Sequence, residues 1–378
     1  MREVTVIGGG IIGAATAWRL TLAGARVTVL EREPAPARGT SAASFSRATA
    51  FGKAPRTYFE LNRAGVRELH RLHDEGVPGF RPCPSLVWGD GSPKLAEAVA
   101  AAARTGYEAH CAAPEDAGLP EGADRAALPA LVGRLPAEGW VDLPAMAVWM
   151  LDRARDHGAE VRFGAEAAGV RTGADGAVLG VGLSDGGLVE ADVVVNAAGA
   201  RGQEVAALVG GPLALDPTLG LLADLPLPGG ADTMLLGPDV SIRPAGPDSV
   251  LVRSDTVDAR LGADHPSDAR LDDLVTELVG CAAAVLPRLS GARPEAVRLG
   301  TRAYPADGHA SVGFLSTAPG YYEAVTHSGA TLGPLLGRLA AAEILSGRRD
   351  PLLTPFTPDR FLRKRPAEAG AHHATATQ

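Results

Sequence analysis

Lysine is scarce in this chain: it occurs only at Lys53, Lys94 and Lys364 among 378 residues, and the other cationic side chains are arginine. Alongside abundant Ala, Gly and Pro this reads as genome composition bias, so arginine richness by itself carries no functional message. Cysteine is as rare. Cys83, Cys111 and Cys281 are odd in number and far apart, with no CxxC and no histidine at metal spacing. That excludes a disulfide framework and a zinc site, and no metal is expected. Also absent is any stretch of ~18 uninterrupted apolar residues of the kind that spans a bilayer. The N-terminus runs directly into an apolar strand without a charged leader or cleavage site, so the expected location is cytoplasmic. No basic block with interleaved aromatics occurs; 36 Lys plus Arg stand against 44 Asp plus Glu, a formal charge of −8, which argues against a nucleic-acid partner.

What is present supports a large core: 46% hydrophobic and 21% charged residues in a chain longer than one typical domain. Residues 4–7 (VTVI) are an apolar, β-rich run that ends in GGGIIG, and AATAWRLTLAGA then carries apolar residues at helical spacing. A second apolar run, residues 26–30, ends in Glu31. Strand, tight turn, helix, second strand and terminal acid together read as a dinucleotide-binding βαβ unit. In that reading Gly8 permits the turn, Gly10 lets a pyrophosphate approach the backbone, and Gly13 lets helix pack on strand, with Ile11 and Ile12 beside the phosphates at the positive helix end. Glu31, followed by Arg32, would accept from the adenosine ribose hydroxyls and repel a 2′-phosphate, which disfavours NADP. NAD and FAD both remain open at this point.

The following stretch has no amphipathic period and contains GTSAAS, residues 39–44. Its backbone N–H groups and the hydroxyls of Thr40, Ser41 and Ser44 are candidates to contact the pyrophosphate or flavin, a solvated linker being the plainer reading. Helices are expected over residues 58–73, 92–104, 145–157 and 268–286. Strands joined by turns at Asp175-Gly176 and Asp185-Gly186-Gly187 fill the middle of the chain. VVVNAAGA (residues 193–200) reads as a buried strand ending in small residues, where backbone or ligand comes close. At the C-terminal side, residues 321–326 read as a strand, HSGATLG as a loop and residues 334–345 as a helix, with a polar tail from residue 356.

Three separated segments, VTVIGGGIIGAATAWRL with LERE, VVVNAAGA, and GTRAYPADGHASVGF with THSGATLGPLLGRLAAAEI, resemble the D-amino acid oxidase superfamily of flavoproteins, which includes glycine oxidase, sarcosine oxidase and D-amino acid dehydrogenases. The resemblance implies an α/β (α+β overall) fold: a Rossmann-like FAD domain of residues 1–50, 139–211 and 299–355, with an inserted substrate domain of residues 51–138 and 212–298 built on an antiparallel sheet. It adds Val170, Ala198 and Gly199 as FAD contacts. Ser328, Gly329, Ala330, Thr331 and Leu332 would offer backbone N–H groups and a helix end to the flavin pyrimidine edge.

The resemblance also makes Arg302 the partner of a substrate carboxylate, the planar guanidinium suiting a planar anion, and puts His327 at substrate, flavin or oxygen. Lys53 has oxygen activation as one reading and a solvated surface lysine as the simpler one. Tyr58, Trp88 and Tyr304 are candidate pocket walls, with core packing the simpler reading. The cysteine that tethers flavin in some sarcosine oxidases has no counterpart at Thr301–Arg302, so FAD is expected to be noncovalent. The implied reaction is oxidation of a C–N bond in an amino acid or related amine. A 2-hydroxy acid or glycerol phosphate oxidoreductase, a non-catalytic electron-transfer subunit with a protein partner, and an NAD-linked dehydrogenase are the rivals. Substrate and oligomeric state are left open.

Overall fold

A computed structural model describes residues 1–362 apart from residues 90, 92, 217 and 263–265. The β-branched runs near the N-terminus form the centre of a six-stranded sheet, because strands covered on both faces need apolar side chains on both. Its order is Ser311–Phe314, Tyr321–Val325, Val193–Asn196, Glu3–Ile7, Arg26–Glu31 and Glu160–Phe163. All neighbours are parallel except the first pair. Chain segments more than three hundred residues apart thus share one sheet.

Three helices cover one face of this sheet: Ile11–Leu22, Leu143–Asp156 and Gly329–Ser346. The first and last cross so closely that a Cβ at Gly337 would lie 2.5 Å from the Ala15 backbone, and one at Gly333 2.7 Å from Ile11 Cγ1. Small residues at the crossing therefore hold the C-terminal helix against the dinucleotide unit. Helix Arg56–Asp74 packs on it in turn, with Gly65 against the Thr331 carbonyl.

The second large sheet has eight strands in the order Ala296–Arg302, Thr218–Pro226, Ser249–Arg253, Ser241–Gly246, Met234–Leu236, Ser85–Val87, Val132–Leu135 and His110–Ala112. It is antiparallel except where Met234–Leu236 meets Ser85–Val87 in parallel, the seam between strands from the two expected inserted segments. Helix Asp268–Val285 covers its far face and shares a separate apolar core with it. The fold is mixed α/β, as expected.

Two local expectations need correction. HSGATLG is not a loop up to Pro334: the C-terminal helix already begins at Gly329, and Pro334 sits in its second turn. A proline there forgoes the single i→i−4 bond to the Ala330 carbonyl, and the helix continues through it. The polar tail also begins later than residue 356. Phe356 and Phe361 are buried, and Arg360 bonds both carboxylate oxygens of Asp307. The remainder of the expected tail, residues 363–378, lies outside the described residues. Among the described residues no helix is long and apolar enough to cross a membrane.

Candidate active site

A cleft of about 910 Å³ opens along the C-terminal ends of the parallel strands, a volume at the upper end of the usual range for ligand sites. Gly8 has φ of +109°, and a Cβ there would lie 2.5 Å from the Ala197 carbonyl oxygen. Gly13 presses on the Gly8 carbonyl and leaves no room for any side chain. Gly10 serves the cleft itself: an added Cβ would meet nothing closer than Ser41 Oγ at 3.3 Å. The turn thus exposes the start of helix Ile11–Leu22, where the N–H groups lack helical acceptors. Ile11 N–H donates to Ser41 Oγ at 3.3 Å.

At the outer end, Glu31 accepts from Gly9 N–H at 2.6 Å and from Glu33 N–H at 2.9 Å. Its buried carboxylate is held by the backbone and still lines the cleft. Arg32, half exposed and paired with Glu33, lies beside it. The 39–44 stretch, whose bland alternative was a solvated linker, is a wall: Thr40 Oγ1 donates to the Thr301 carbonyl at 2.7 Å, and Thr40, Ser41 and Ser44 line the cavity with Ala198 and Gly199. Gly199 has φ of +57°, a left-handed turn that a side chain would disfavour. Val170 is not at the wall. It lies in strand Ala167–Thr172 opposite Val181, while Ala165, Glu166, Ala167 and Ala168 border the cleft. The expected contact is therefore displaced two or more residues toward the start of that strand.

The inner end is closed by Thr326, His327, Gly329 and Ala330 at the start of the C-terminal helix. Ser328, Thr331 and Leu332 are buried behind this wall. Ser328 Oγ accepts from Tyr58 Oη at 2.9 Å, and Thr331 Oγ1 accepts from Thr49 N–H at 3.1 Å. Their side chains fix the helix start and leave its backbone to face the cavity. Tyr58 is thereby a buried structural residue, and burial raises its pKa. Trp88 packs against Gly237 in the core of the second sheet.

His327 stacks on Tyr304 with ring centroids 4.3 Å apart. Burial, then the charges of Lys53, His309 and Arg302, hold its pKa well below the ordinary histidine value, so the imidazole is neutral. Its Nδ1 is buried with no hydrogen-bond partner among the described residues. Arg302 is not part of the cleft wall, although Thr301 and Ala303 are. It lies on the second sheet over Gly220, where a Cβ would come within 2.6 Å of Nη2, and it is paired with the buried Asp258. Asp258 also accepts from Leu221 N–H at 2.8 Å.

Lys53 is partly buried, and burial, reinforced by Arg47 and Arg253, pushes its pKa down to about 8. Sequence reasoning also missed Arg47, Asp258 and Glu138. The Ser254 cap on the short helix Asp255–Asp258 is a legible signal for structure, but nothing in the sequence marks Asp258 as the partner of an arginine forty-four residues away.

A backbone-lined dinucleotide cleft ends against a neutral histidine and the start of a helix, and comparison with known proteins agrees with this construction. The family model described as FAD dependent oxidoreductase, DAO, matches residues 3–343. The chain belongs to this family. The oxidoreductase is 27% identical over 380 residues to an uncharacterised oxidoreductase of Bacillus subtilis strain 168, YurR, covering 95% of this chain and 99% of that protein. Its fold matches glycine oxidase from Geobacillus kaustophilus with a TM-score of 0.83 at 22% identity, covering 95% of this chain and 99% of that one. L-Proline dehydrogenase from P. horikoshii gives the same TM-score at 18% identity, covering 96% and 98%. The oxidoreductase is FAD-dependent as its family is, and the cleft's open glycine turn, strand-end carboxylate and small-residue wall fit a dinucleotide flavin.

Proposed function

We propose that this flavoprotein oxidises the C–N bond of an amino acid or related carboxylate-bearing amine, with FAD held noncovalently. The observation that carries this reading is the position of His327. It closes the inner end of the cofactor cleft, stacks on Tyr304 just beyond Arg302, and feels the Arg302 charge. A cation suited to a carboxylate therefore lies next to the end of the cleft where the reacting ring would be.

When bound, the flavin supplies a two-electron acceptor for the hydride that leaves the α-carbon. Arg302 holds the carboxylate, its remaining N–H groups shared between Asp258 and substrate. His327, neutral and with Nδ1 unpartnered, accepts from the amine N–H and helps hold the substrate in its reactive, uncharged form. The second sheet excludes water from the other side. Orientation supplies the catalysis, so no strong protein base is required. The imine then hydrolyses to an oxo acid or aldehyde plus amine, and electrons pass to O2, giving H2O2, or to another acceptor. Among the described residues no cysteine lines the cleft, which supports a noncovalent cofactor.

Anaerobic mixing with candidate amino acids should bleach the flavin absorbance. Arg302→Ala should weaken carboxylate-bearing amines by about 2–5 kcal/mol, the range for removing one partner of a buried charge pair. Unchanged bleaching in that variant would remove Arg302 from the reading. Bleaching by 2-hydroxy acids and by no amine would replace the bond oxidised.

A further inference from the structure

Strand Thr218–Pro226 carries a glycine in its interior, Gly220, directly opposite Gly300 of strand Ala296–Arg302. Glycine weakens a strand, so a facing pair marks a place where another group must come close. Each member of this pair admits a different group. A Cβ at Gly300 would lie 2.6 Å from both the Cβ and the carbonyl oxygen of Ala43, a residue of the cleft wall. A Cβ at Gly220 would have only Arg302 as its nearest neighbour, 2.6 Å from Nη2, 3.0 Å from Cζ and 3.3 Å from Nε. Residues directly opposite turn to the same face of a sheet. The guanidinium and the cofactor loop therefore lie against one face, on Cα atoms about 5 Å apart.

Three successive residues of the strand beneath it pin the guanidinium. Arg302 Nη1 donates to the Leu219 carbonyl at 3.4 Å, the group lies over Gly220, and Nη2 pairs with Asp258, whose other oxygen accepts from Leu221 N–H at 2.8 Å. Strand Ser249–Arg253 pairs with this strand only over residues 223–226, and the chain then turns into helix Asp255–Asp258. The Asp258 carboxylate thus takes the Leu221 N–H that a longer strand would have taken. The Asp258 side chain is buried, whereas 33% of the Arg302 side chain stays exposed. With Nη1 and Nη2 each engaged once, further N–H groups of the fork remain for a ligand.

We infer that Gly220 is a specificity-determining position: the missing side chain seats the Arg302 guanidinium on the strand, and with Asp258 this seat fixes the angle at which the fork meets a substrate carboxylate beside the cleft. The inference rests on the carboxylate reading of Arg302 given above. A guanidinium recognises a carboxylate through parallel, directed bonds, so tilting it costs binding even when its charge is kept. Alanine at 220 tilts it. Gly220 lies in extended strand without a positive φ, and the atoms that an added methyl displaces are the mobile end of one side chain, so the fold tolerates the change.

Flavin difference spectra of the holoenzyme titrated with acetate, and with acetamide as its uncharged counterpart, read the clamp without turnover. Gly220→Ala should weaken acetate about tenfold, the scale of one hydrogen bond to a charged group, with acetamide binding, flavin content and urea midpoint unchanged. Arg302→Lys should also weaken acetate, because an ammonium has no fork to orient, and adding Gly220→Ala to it should cost almost nothing more. No loss of acetate affinity in Gly220→Ala, or an equal loss with and without Arg302→Lys, overturns the seat and leaves Arg302 as the carboxylate partner. Acetate binding no tighter than acetamide, or indifferent to Arg302→Lys, overturns the carboxylate reading itself, and the seat with it.

Discussion

The cofactor cleft and the charged face of the eight-stranded sheet, here called the roof, position their charges with different materials. In the cleft, backbone does the holding: Gly8, Gly10 and Gly13 shape the turn, and the one buried carboxylate, Glu31, is fixed by two main-chain N–H groups. In the roof, side chains do it, with Arg47 on Glu138 and Arg302 on Asp258. Backbone geometry is set by short sequence, so the cleft is specified within a few dozen residues. Charge pairs join strands far apart in sequence, and each can be changed without disturbing the turn beneath. The contrast suits a family that keeps one cofactor and varies what it oxidises.

The sharpest break in this comparison is at the backbone. Gly13→Val would drive a side chain into the Gly8 carbonyl, which cannot rotate away. It should cost about 5 kcal/mol, at the limit of single substitutions, and abolish flavin retention. Denaturant midpoint and the flavin-to-protein absorbance ratio check it. In the roof, Glu138→Gln leaves the buried Arg47 without a counter-charge, and should lower stability by about 3–5 kcal/mol while flavin absorbance per folded protein persists.

Glu323 sharpens the contrast from the cofactor side. Burial raises its pKa to about 7, offset in part by the Ser311 hydroxyl and Arg360, and Oε2 is buried without a partner. Its protonated form is favoured by folding, so its stabilisation is full below the ordinary glutamate pKa and is lost as pH rises through 7. Glu323→Gln should remove that slope and add about 1–3 kcal/mol near pH 8; urea unfolding at pH 5, 6.5 and 8 reads it. The smallest effect belongs to Thr331→Val, which removes the hydroxyl joining the C-terminal helix to Thr49. About 1 kcal/mol should be lost, with faster flavin dissociation measured by fluorescence.

Much of the cleft was legible because glycine carries its reason with it. Gly8, Gly10 and Gly13 occupy the places that their spacing implied, and Glu31 lies at the strand end. Val170 was misplaced because small residues in an exposed strand start give no signal of which one faces a ligand. The C-terminal loop was read too long because Gly and Pro were both taken as breakers, whereas a proline in the first turns leaves most helical bonds intact. Nothing local to FGKAP shows that the charges of Arg47, Glu138 and Arg253 act on Lys53.

The sequence by itself determined the nucleotide turn and the flavin family, since each depends on residues adjacent in the chain or on a motif read as a unit. Only the tertiary structure decided which charges are already compensated. A charge becomes informative when its neighbours and its access to water are known, and here those neighbours come from strands that the fold alone brings together. Arg302 is a candidate for a free carboxylate in the sequence and a residue already paired with Asp258 in the fold.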